Sequence, residues 1–460
     1  MNKRLSTTRS FTRPAAQWGA TLFLLSIGFI AIAEAPSAKP HVFESTLDNG
    51  LKVLVKPDHR APVVVAQIWY KVGSSYEVGG STGLSHILEH MMFKGTAKLA
   101  PGKFSKVIAE NGGRENAFTG KDYTAYFQQL EKSRLPVSFE LEADRMRNLT
   151  LPEEEFSKEL PVVMEERRLR TEDKPRSRTY EQFNAIAHIS SPYHHPVIGW
   201  MDDLKNMKVA DLRAWYQKWY APNNATLVVV GDVKPDEVFA LAKKHYGPLK
   251  RSNNIPVLKP RIEAPQFGER RLTVKLPAKL PYLIIGYKVP SLNTVKEDWE
   301  PYALEVLAGI LSGGDSARLP KELVRGRQMA ASADVSYDMI SRQAGLFIFD
   351  AIPSAKFTVA DVEKALYQQM EKVKTELVTV KELQRVKAQV VAGDIYEKDS
   401  IFYQAMILGQ LETVGLPWTM ADEYVDKIRA VTAEQVQAVA KKYFKDAQKT
   451  VAILEPQQDK

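Results

Sequence analysis

The sequence predicts an α+β protein of two homologous halves, each a sheet backed by helices, which together form a clam-shell. The first observation is an internal repeat: a strand-like apolar run leads into Tyr70-Lys71-Val72, and another leads into Tyr287-Lys288-Val289, 217 positions later. In both copies a polar loop and an amphipathic helix follow, and both halves end in a helix and a β-rich strand. We therefore expect domains at residues 41–250 and 266–455. The segment 251–265 is rich in Pro, Lys and Asn and is the predicted linker.

The composition bounds the class of protein. The chain has 460 residues, of which 44% are hydrophobic and 26% are charged, and it has no cysteine. These values are typical of globular proteins with more than one core, and they exclude disordered, collagen-like and disulfide-scaffold classes. Without cysteine there is no thiolate nucleophile and no zinc finger. Any metal ion must be held by His, Asp or Glu side chains.

Residues 1–33 have the three parts of a secretory signal peptide. A basic start precedes an uncharged apolar run from Trp18 to Ala33, with small residues at Ala31 and Ala33 before the expected cleavage site. An uncleaved anchor is the alternative, but a spanning helix needs about 20 apolar residues and this run is shorter. We therefore expect export, with no membrane span in the mature chain. Removal of this leader lowers the net charge from +8 to +4, which is weak grounds for nucleic-acid binding.

The strongest chemical signal is the segment from His86 to His90. On a helix, positions i, i+3 and i+4 share one face, so His86, Glu89 and His90 point in the same direction. Two imidazoles one turn apart can hold one Zn²⁺, and a carboxylate beside them can polarise water. Such a motif also arises by chance. A catalytic zinc site needs a third protein ligand and one open position, so the motif gains meaning only with that ligand.

A second candidate helix supplies further carboxylates. Glu159 and Glu166 fall on one helical stripe, although Pro161 between them removes a backbone hydrogen bond and is expected to kink the helix. Glu165 would point about 100° away from Glu166, so we expect it to be a solvated neighbour. This helix is the best source of the third ligand.

Together the two segments resemble the pitrilysin or insulinase family of inverzincin zinc metallopeptidases, especially its processing-peptidase-like branch. Glu166 lies 76 positions after His90 and seven after Glu159, which is the spacing of the family's ligand and supporting acid. The resemblance implies that His86, His90 and Glu166 bind one zinc ion per chain. It also implies that Glu89 accepts a proton from water, that Glu159 is the supporting catalytic acid, and that a peptide bond is hydrolysed without a covalent intermediate.

A further match lies in the segment Asn116-Ala117-Phe118-Thr119, which resembles the family's edge strand that pairs with the substrate backbone. The resemblance implies that Asn116, Ala117 and Phe118 contact an extended peptide substrate. Main-chain hydrogen bonds would then supply affinity, and side-chain pockets would supply preference.

The second half departs from the family pattern. It carries no metal motif, so it is predicted to be inactive by itself. In self-sufficient family members this half supplies an Arg and a Tyr to the site, but the matching positions here are Val324 and Ala331. Neither side chain donates a hydrogen bond. The resemblance therefore implies a homologous partner subunit that supplies the Arg/Tyr pair, in a heterodimer or a homodimer. The alternative is that Arg325, Arg327 or Tyr337 substitutes through a shifted register.

These observations favour an exported, periplasmic zinc endopeptidase subunit that acts on peptides or unfolded segments. A catalytically weak scaffold or assembly protein with the same fold is the alternative, and peptide binding without cleavage is a third interpretation. The intact set His86, Glu89, His90 and Glu166 favours the peptidase, whereas the missing Arg/Tyr pair favours the scaffold.

Overall fold

The computed structural model describes residues 41–259 and 261–457. The signal peptide predicted at 1–33 lies outside these residues. Within the described ranges, no helix has both the length and the apolar character needed to cross a membrane. The strands are β1 Phe43–Thr46, β2 Lys52–Pro57, β3 Val63–Tyr70, β4 Arg114–Thr119, β5 Thr124–Glu131, β6 Ala225–Gly231, β7 Arg270–Pro277, β8 Tyr282–Val289, β9 Ala330–Ser336, β10 Gly345–Pro353 and β11 Lys449–Gln457.

In both halves a long run of helices separates the last strand from the earlier ones. They are α1 Leu84–Met91, α2 Lys103–Glu110, α3 Leu135–Asn148, α4 Glu153–Arg167, α5 Pro175–Ala187, α6 Met201–Asn206, α7 Val209–Trp219, α8 Pro235–Tyr246, α9 Glu300–Ser312, α10 Val359–Thr375, α11 Val380–Glu397, α12 Ile401–Val414, α13 Met420–Ala430 and α14 Ala433–Tyr443. The predicted linker at 251–265 lies between α8 and β7, where the described residues form no helix or strand. The domain boundaries themselves stay a prediction.

The two sheets share one topology. The first has the order β1-β2-β6-β3-β5-β4, and the second has the order β7-β11-β8-β10-β9. In each sheet the strand that comes last in the chain is parallel to one neighbour: β6 is parallel to β2, and β11 is parallel to β7. All other neighbouring strands are antiparallel. The first sheet differs by one added strand, β1. The prediction of an α+β fold with two homologous halves is confirmed.

Each sheet packs one face against helices of its own half. The first core includes Tyr70, Phe139 and Tyr246, and the second includes Tyr287 and Phe347. Strand β6 is buried at every residue. A strand that is buried throughout is covered on both faces, and the run of valines in β6 suits such a position.

The other face of each sheet is covered by a helix of the opposite half. Helix α12 of the second half packs on the first sheet, where Leu408 joins a cluster with Trp69 and Val228. Helix α5 of the first half packs on the second sheet, where Phe183 joins a cluster with Ile284. This reciprocal exchange buries apolar area on both sheets and fixes the halves to each other.

Glu263, within the predicted linker, adds a polar connection between the halves. Its carboxylate accepts hydrogen bonds from the backbone N–H groups of Ile189 at 2.8 Å and Ser191 at 2.7 Å, in the loop after α5. It also accepts one from Lys288 Nζ of β8, at 2.8 Å. The linker is therefore held against both halves.

Candidate metal centre

A buried carboxylate holds the start of α1, the helix that carries the histidine motif. Glu77 accepts hydrogen bonds from the backbone N–H groups of Gly83 and Ser85, each at 2.7 Å. These bonds satisfy donors that a helix N-terminus leaves free. Gly83 has a φ of +89°, and a Cβ on Gly199 would lie 2.6 Å from Gly83 Cα. The two glycines therefore allow a close approach of two loops that fixes where α1 begins.

His86 and His90 lie on one face of α1 and meet Glu166 from the end of α4. His86 Nε2 lies 3.8 Å from Glu166 Oε1, and His90 Nε2 lies 3.4 Å from Glu166 Oε2. One ligand atom from each residue lies within 4.8 Å of the others. Helix α4 continues through Pro161 to Arg167. The structure therefore brings together the three residues that the sequence predicts as ligands.

The second ring nitrogen of His90 is held by Glu159, about two turns before Glu166 on the same face of α4. His90 Nδ1 lies 2.9 Å from Glu159 Oε1, and Lys94 Nζ contacts the other carboxylate oxygen. The hydrogen bond from His90 holds the pKa of Glu159 at about 2, with help from Lys94 and against the effect of burial. Burial alone lowers the pKa of His90, but its carboxylate neighbours raise it above the ordinary value. Glu159 thus directs Nε2 of the ring towards Glu166.

His86 is a neutral imidazole in this environment. It is 8% exposed, and burial, together with the charges of His90 and Arg170, lowers its pKa to about 3. Its Nδ1 is buried and has no hydrogen-bond partner among the described residues. Neutral imidazole nitrogens and a carboxylate are a donor set that suits Zn²⁺. The residues present therefore fit zinc.

Glu89 lies on the same face of α1 as the two histidines. Its Oε2 accepts a hydrogen bond from the hydroxyl of Thr119, the last residue of β4. Burial raises the pKa of Glu89, while the bond from Thr119 acts in the opposite direction. The carboxylate is thus tied to the strand that the sequence predicts to bind substrate.

Two arginines support the end of α4. Arg167 is buried and donates to Glu181 of α5 at 2.7 and 3.0 Å, and to the carbonyl of Gly199 at 2.8 Å. Arg170 lies in a π-helical turn, and its Nη1 is 2.8 Å from Glu166 Oε1. Arg167 therefore fixes the position of α4 relative to the start of α1, and Arg170 gives Glu166 a cationic neighbour.

Strand β4 lies at one edge of the first sheet and carries the predicted substrate residues. Residues 116–118 pair with residues 125–127 of β5, and no described strand pairs with the opposite edge of β4. Asn116, Ala117 and Phe118 line the same cavity as the metal cluster. An extended peptide can pair with such an edge through its main chain.

The cavity beside His86, His90 and Glu166, called the metal cavity below, has a volume of about 1210 Å³. Within the described part of the chain, Tyr282 of β8 is the one residue that the second half contributes to its lining. Val324 and Ala331 do not line it, and neither do the proposed substitutes. Arg325 donates to a backbone carbonyl in its own half, and the Tyr337 hydroxyl does the same at 2.6 Å.

Sequence reasoning missed several contacts of the cluster. The bond from Thr119 to Glu89 joins a strand to a helix 30 positions apart, and no local spacing indicates it. Glu77 is missed for the same reason. Lys94 and Arg170 are the exceptions, because they lie four residues after His90 and after Glu166, a spacing at which helical side chains are neighbours.

Comparison with known protein families covers most of the chain. A model of the insulinase family, Peptidase family M16, matches residues 52–199, which contain the whole metal cluster. A model of the Peptidase M16 inactive domain matches residues 206–390.

Individual proteins agree with these matches. The zinc protease PqqE of Helicobacter pylori is 33% identical over 446 residues, which cover 95% of this chain and 97% of that protein. The crystal structure of a protease from Helicobacter pylori has a TM-score of 0.86 at 33% identity, covering 91% of this chain and 100% of that one. The periplasmic protease PqqL from Escherichia coli shares the fold, with a TM-score of 0.77 at 20% identity, covering 92% of this chain and 48% of that one. The chain therefore belongs to the insulinase family of peptidases, M16.

Proposed function

We propose that this protein is an exported, zinc-dependent endopeptidase subunit that cleaves peptides or unfolded segments. One observation carries the proposal: ligand atoms of His86, His90 and Glu166 lie within 4.8 Å of one another, next to the face of α1 that also presents Glu89. A carboxylate beside three ligands is the arrangement that hydrolysis assisted by a metal ion requires. We propose one zinc ion per chain.

The chain's own residues then perform the proton transfers. A bound Zn²⁺ supplies a Lewis acid that polarises a carbonyl group and increases the acidity of water. Thr119 holds Oε2 of Glu89, so Oε1 is the atom that accepts the proton and returns it to the departing amine. Glu159 keeps the ring of His90 in place throughout, through the bond at Nδ1.

The substrate binds as an added strand beside β4. Asn116, Ala117 and Phe118 offer the edge, and Thr119 connects this edge to Glu89. Main-chain pairing would therefore place a peptide bond of the substrate next to the proton acceptor.

A homologous partner subunit completes the site. Val324 and Ala331 stand where the family's second half supplies Arg and Tyr, and loss of one such donor costs about 2.7–4 kcal/mol of transition-state stabilisation. The cavity takes only Tyr282 from the described second half. The fold of this chain also corresponds to 48% of the PqqL chain, which supports a second unit of similar size. The partner is a different subunit or a second copy of this chain.

A scaffold role is the second candidate, and a specific observation favours it. No described second-half donor other than Tyr282 lines the cavity, and the model that matches the second half is that of an inactive domain. A scaffold would need none of the bonds that orient His90 and Glu89, however, so their presence supports the peptidase.

The proposed location is the periplasm. The predicted signal peptide at 1–33 supports export, and the relative PqqL is a periplasmic protease. Detection of the mature chain in the periplasmic fraction, with its N-terminus determined, tests this proposal.

The activity is tested with quenched fluorescent peptides, using the mature chain alone and after co-purification with its binding partners. We expect one zinc ion per chain and turnover that increases with the partner. Glu89→Gln should retain zinc and lose about 10²–10⁴-fold in turnover. Absence of turnover in every preparation that holds zinc would favour the scaffold role. Full activity of the lone chain would contradict the proposal that a partner subunit completes the site.

A further inference from the structure

Lys121 lies in the turn between β4 and β5, where two cavities meet. It lines the metal cavity and also a second cavity of about 350 Å³, which includes Asp338 of the second half. Tyr180 and Asn184 of α5 line both cavities as well. Lys121 is thus placed at a junction that a ligand in the metal cavity can reach.

The adjacent acid does not neutralise Lys121. Asp122 Oδ1 accepts from Ser75 Oγ at 2.7 Å and from Arg342 Nε at 3.3 Å. Its Oδ2 accepts from the Tyr193 hydroxyl and from the backbone N–H of Arg342 at 3.0 Å. Both oxygens are therefore occupied by other donors.

The ammonium group itself has no carboxylate partner. Lys121 Nζ lies 4.9 Å from the centre of the Tyr193 ring, and it forms no ion pair with a carboxylate in the described ranges. Burial lowers its pKa, whereas Asp122 and Asp338 act in the opposite direction only through space. Lys121 is half-buried, and removing an ammonium group from water without a counter-ion is costly, so an anionic ligand would be stabilised here.

The other charged residues that line the metal cavity also favour an anionic ligand. Apart from Glu89 and Glu166, the acids that line it are Asp173 and Glu181, and Glu181 is paired with Arg167. Four cations line the same space, namely Lys121, Arg170, Lys174 and Arg176. With Glu89 and Glu166 beside a divalent ion, the cavity would carry an excess of positive charge and attract acidic peptides.

The position of Lys121 relates it to the scissile bond. Thr119 contacts Glu89, and Lys121 follows two residues later. Lys121 lies in the turn just past the end of β4, so a substrate strand that pairs with β4 would reach it within a few residues of the proton acceptor. Thr119 and Lys121 both line the metal cavity, so one bound peptide can contact both residues.

We propose that Lys121, together with the Asn184 amide, forms a carboxylate-binding subsite that selects peptides with an acidic group within a few residues of the cleaved bond. This inference rests on the proposed peptidase function. The carboxylate comes from a Glu or Asp side chain or from the C-terminus of a peptide. Both sources present the same pair of oxygens to the ammonium group.

Binding to zinc-loaded Glu89→Gln protein tests the subsite without turnover. Labelled neutral decapeptides carry one Glu or one Gln at each position in turn, and each is made with a free or an amidated C-terminus. We expect one Glu position, or the free C-terminus, to bind about tenfold more tightly than its neutral counterpart. The position of the tighter peptide identifies which source of carboxylate is used.

Variants at two cations of the cavity complete the test. Lys121→Met should remove the preference for one Glu position, and Lys121→Arg should retain most of it. Lys174 is exposed, so Lys174→Met, the matched control, should weaken all acidic peptides alike and keep the positional preference. A preference that persists in Lys121→Met overturns the subsite, and so does equal binding of all peptides or binding of none. A preference that depends on Lys121, in a wild-type protein that fails to cleave, supports the subsite and counts against the peptidase.

Discussion

Glu159 Oε1 lies 2.9 Å from Nδ1 of His90, whose Nε2 lies 3.4 Å from Glu166 Oε2. The two acids are seven residues apart on α4, about two helical turns, so one rigid helix contacts both nitrogens of the same ring. Lys94 in turn contacts the carboxylate of Glu159. The orientation of His90 is therefore set by contacts with two acids of one helix.

Replacement of Glu159 by Gln should weaken zinc binding. An amide holds the imidazole less firmly than a carboxylate, and loss of such a partner typically reduces metal affinity 10–100-fold. We expect a decrease of about that size in a competition titration against a chelator. Peptidase turnover at saturating zinc should decrease less than metal affinity does.

Glu165→Gln is the matched control on the same helix. Glu165 is exposed and pairs with Arg168 at 2.7 Å, so its replacement should leave zinc affinity unchanged. Equal losses in the two variants would mean that the general charge of α4, and not the contact with His90, governs the affinity.

Removal of the Thr119 hydroxyl should slow turnover without loss of zinc. Thr119→Val keeps the shape of the side chain but leaves Oε2 of Glu89 without its donor. Hydrogen bonds to charged groups contribute about 1.5–3 kcal/mol, so we expect kcat to decrease about 10–100-fold. Thr119→Ser, which keeps the hydroxyl, should retain most of the activity. Unchanged kcat in Thr119→Val would show that the bond does not orient Glu89 during catalysis.

The repeat in the sequence predicted two similar sheets, but not how the halves combine. Helix α12 and helix α5 each cover the sheet of the opposite half. Apolar periodicity shows that a helix has a face to bury, yet it does not identify the sheet that buries it. Phe183 is the example, because its position on α5 does not indicate that it packs on Gly286 of β8. The packing is so close that a Cβ added at Gly286 would lie 2.5 Å from the Phe183 ring.

In the candidate metal centre, too, some residues were predictable from local spacing and others were not. His86 and His90 were predictable because helical spacing fixes their common face. Glu166 required the resemblance to a family, since α1 and α4 are far apart in the sequence. The contact of Thr119 with Glu89 depends on the packing of β4 against the cluster. No local pattern encodes such tertiary contacts.

The contribution of Glu263 to stability should depend on pH. Burial acts to raise its pKa, but Lys288 and the N–H groups of Ile189 and Ser191 hold it at about 2, below its ordinary value of 4.5. Because the folded-state pKa is the lower one, this stabilisation is complete above pH 4.5 and is lost as the pH falls towards 2. The urea midpoint of Glu263→Gln should therefore be lower than that of the wild type at pH 7, and the difference should shrink below pH 4.5. If the difference between the two urea midpoints stayed constant down to about pH 3, between the two pKa values, a carboxylate titration at this position would be excluded.

Substitution of Gly409 by Ala should destabilise the protein, although Gly to Ala inside a helix is usually favourable. A Cβ at this position of α12 would overlap the indole ring of Trp69 in β3. The ring is held in place, because its Nε1 donates to Gln67 at 2.9 Å and Gln67 donates to the carbonyl of Phe402 in α12. Overpacking of this kind costs about 1–3 kcal/mol of unfolding free energy.

Gly393→Ala supplies the opposite case within one chain. Gly393 lies inside α11, and a Cβ there would meet no atom within 4 Å. We expect this change to stabilise the protein by about 0.5–1 kcal/mol in urea unfolding, since Ala loses less backbone entropy in a helix. Opposite signs for the two variants would locate the cost in the contact of α12 with Trp69. Stabilisation by both would mean that α12 can move away from the first sheet at little cost, and that the reciprocal packing does not hold the halves together.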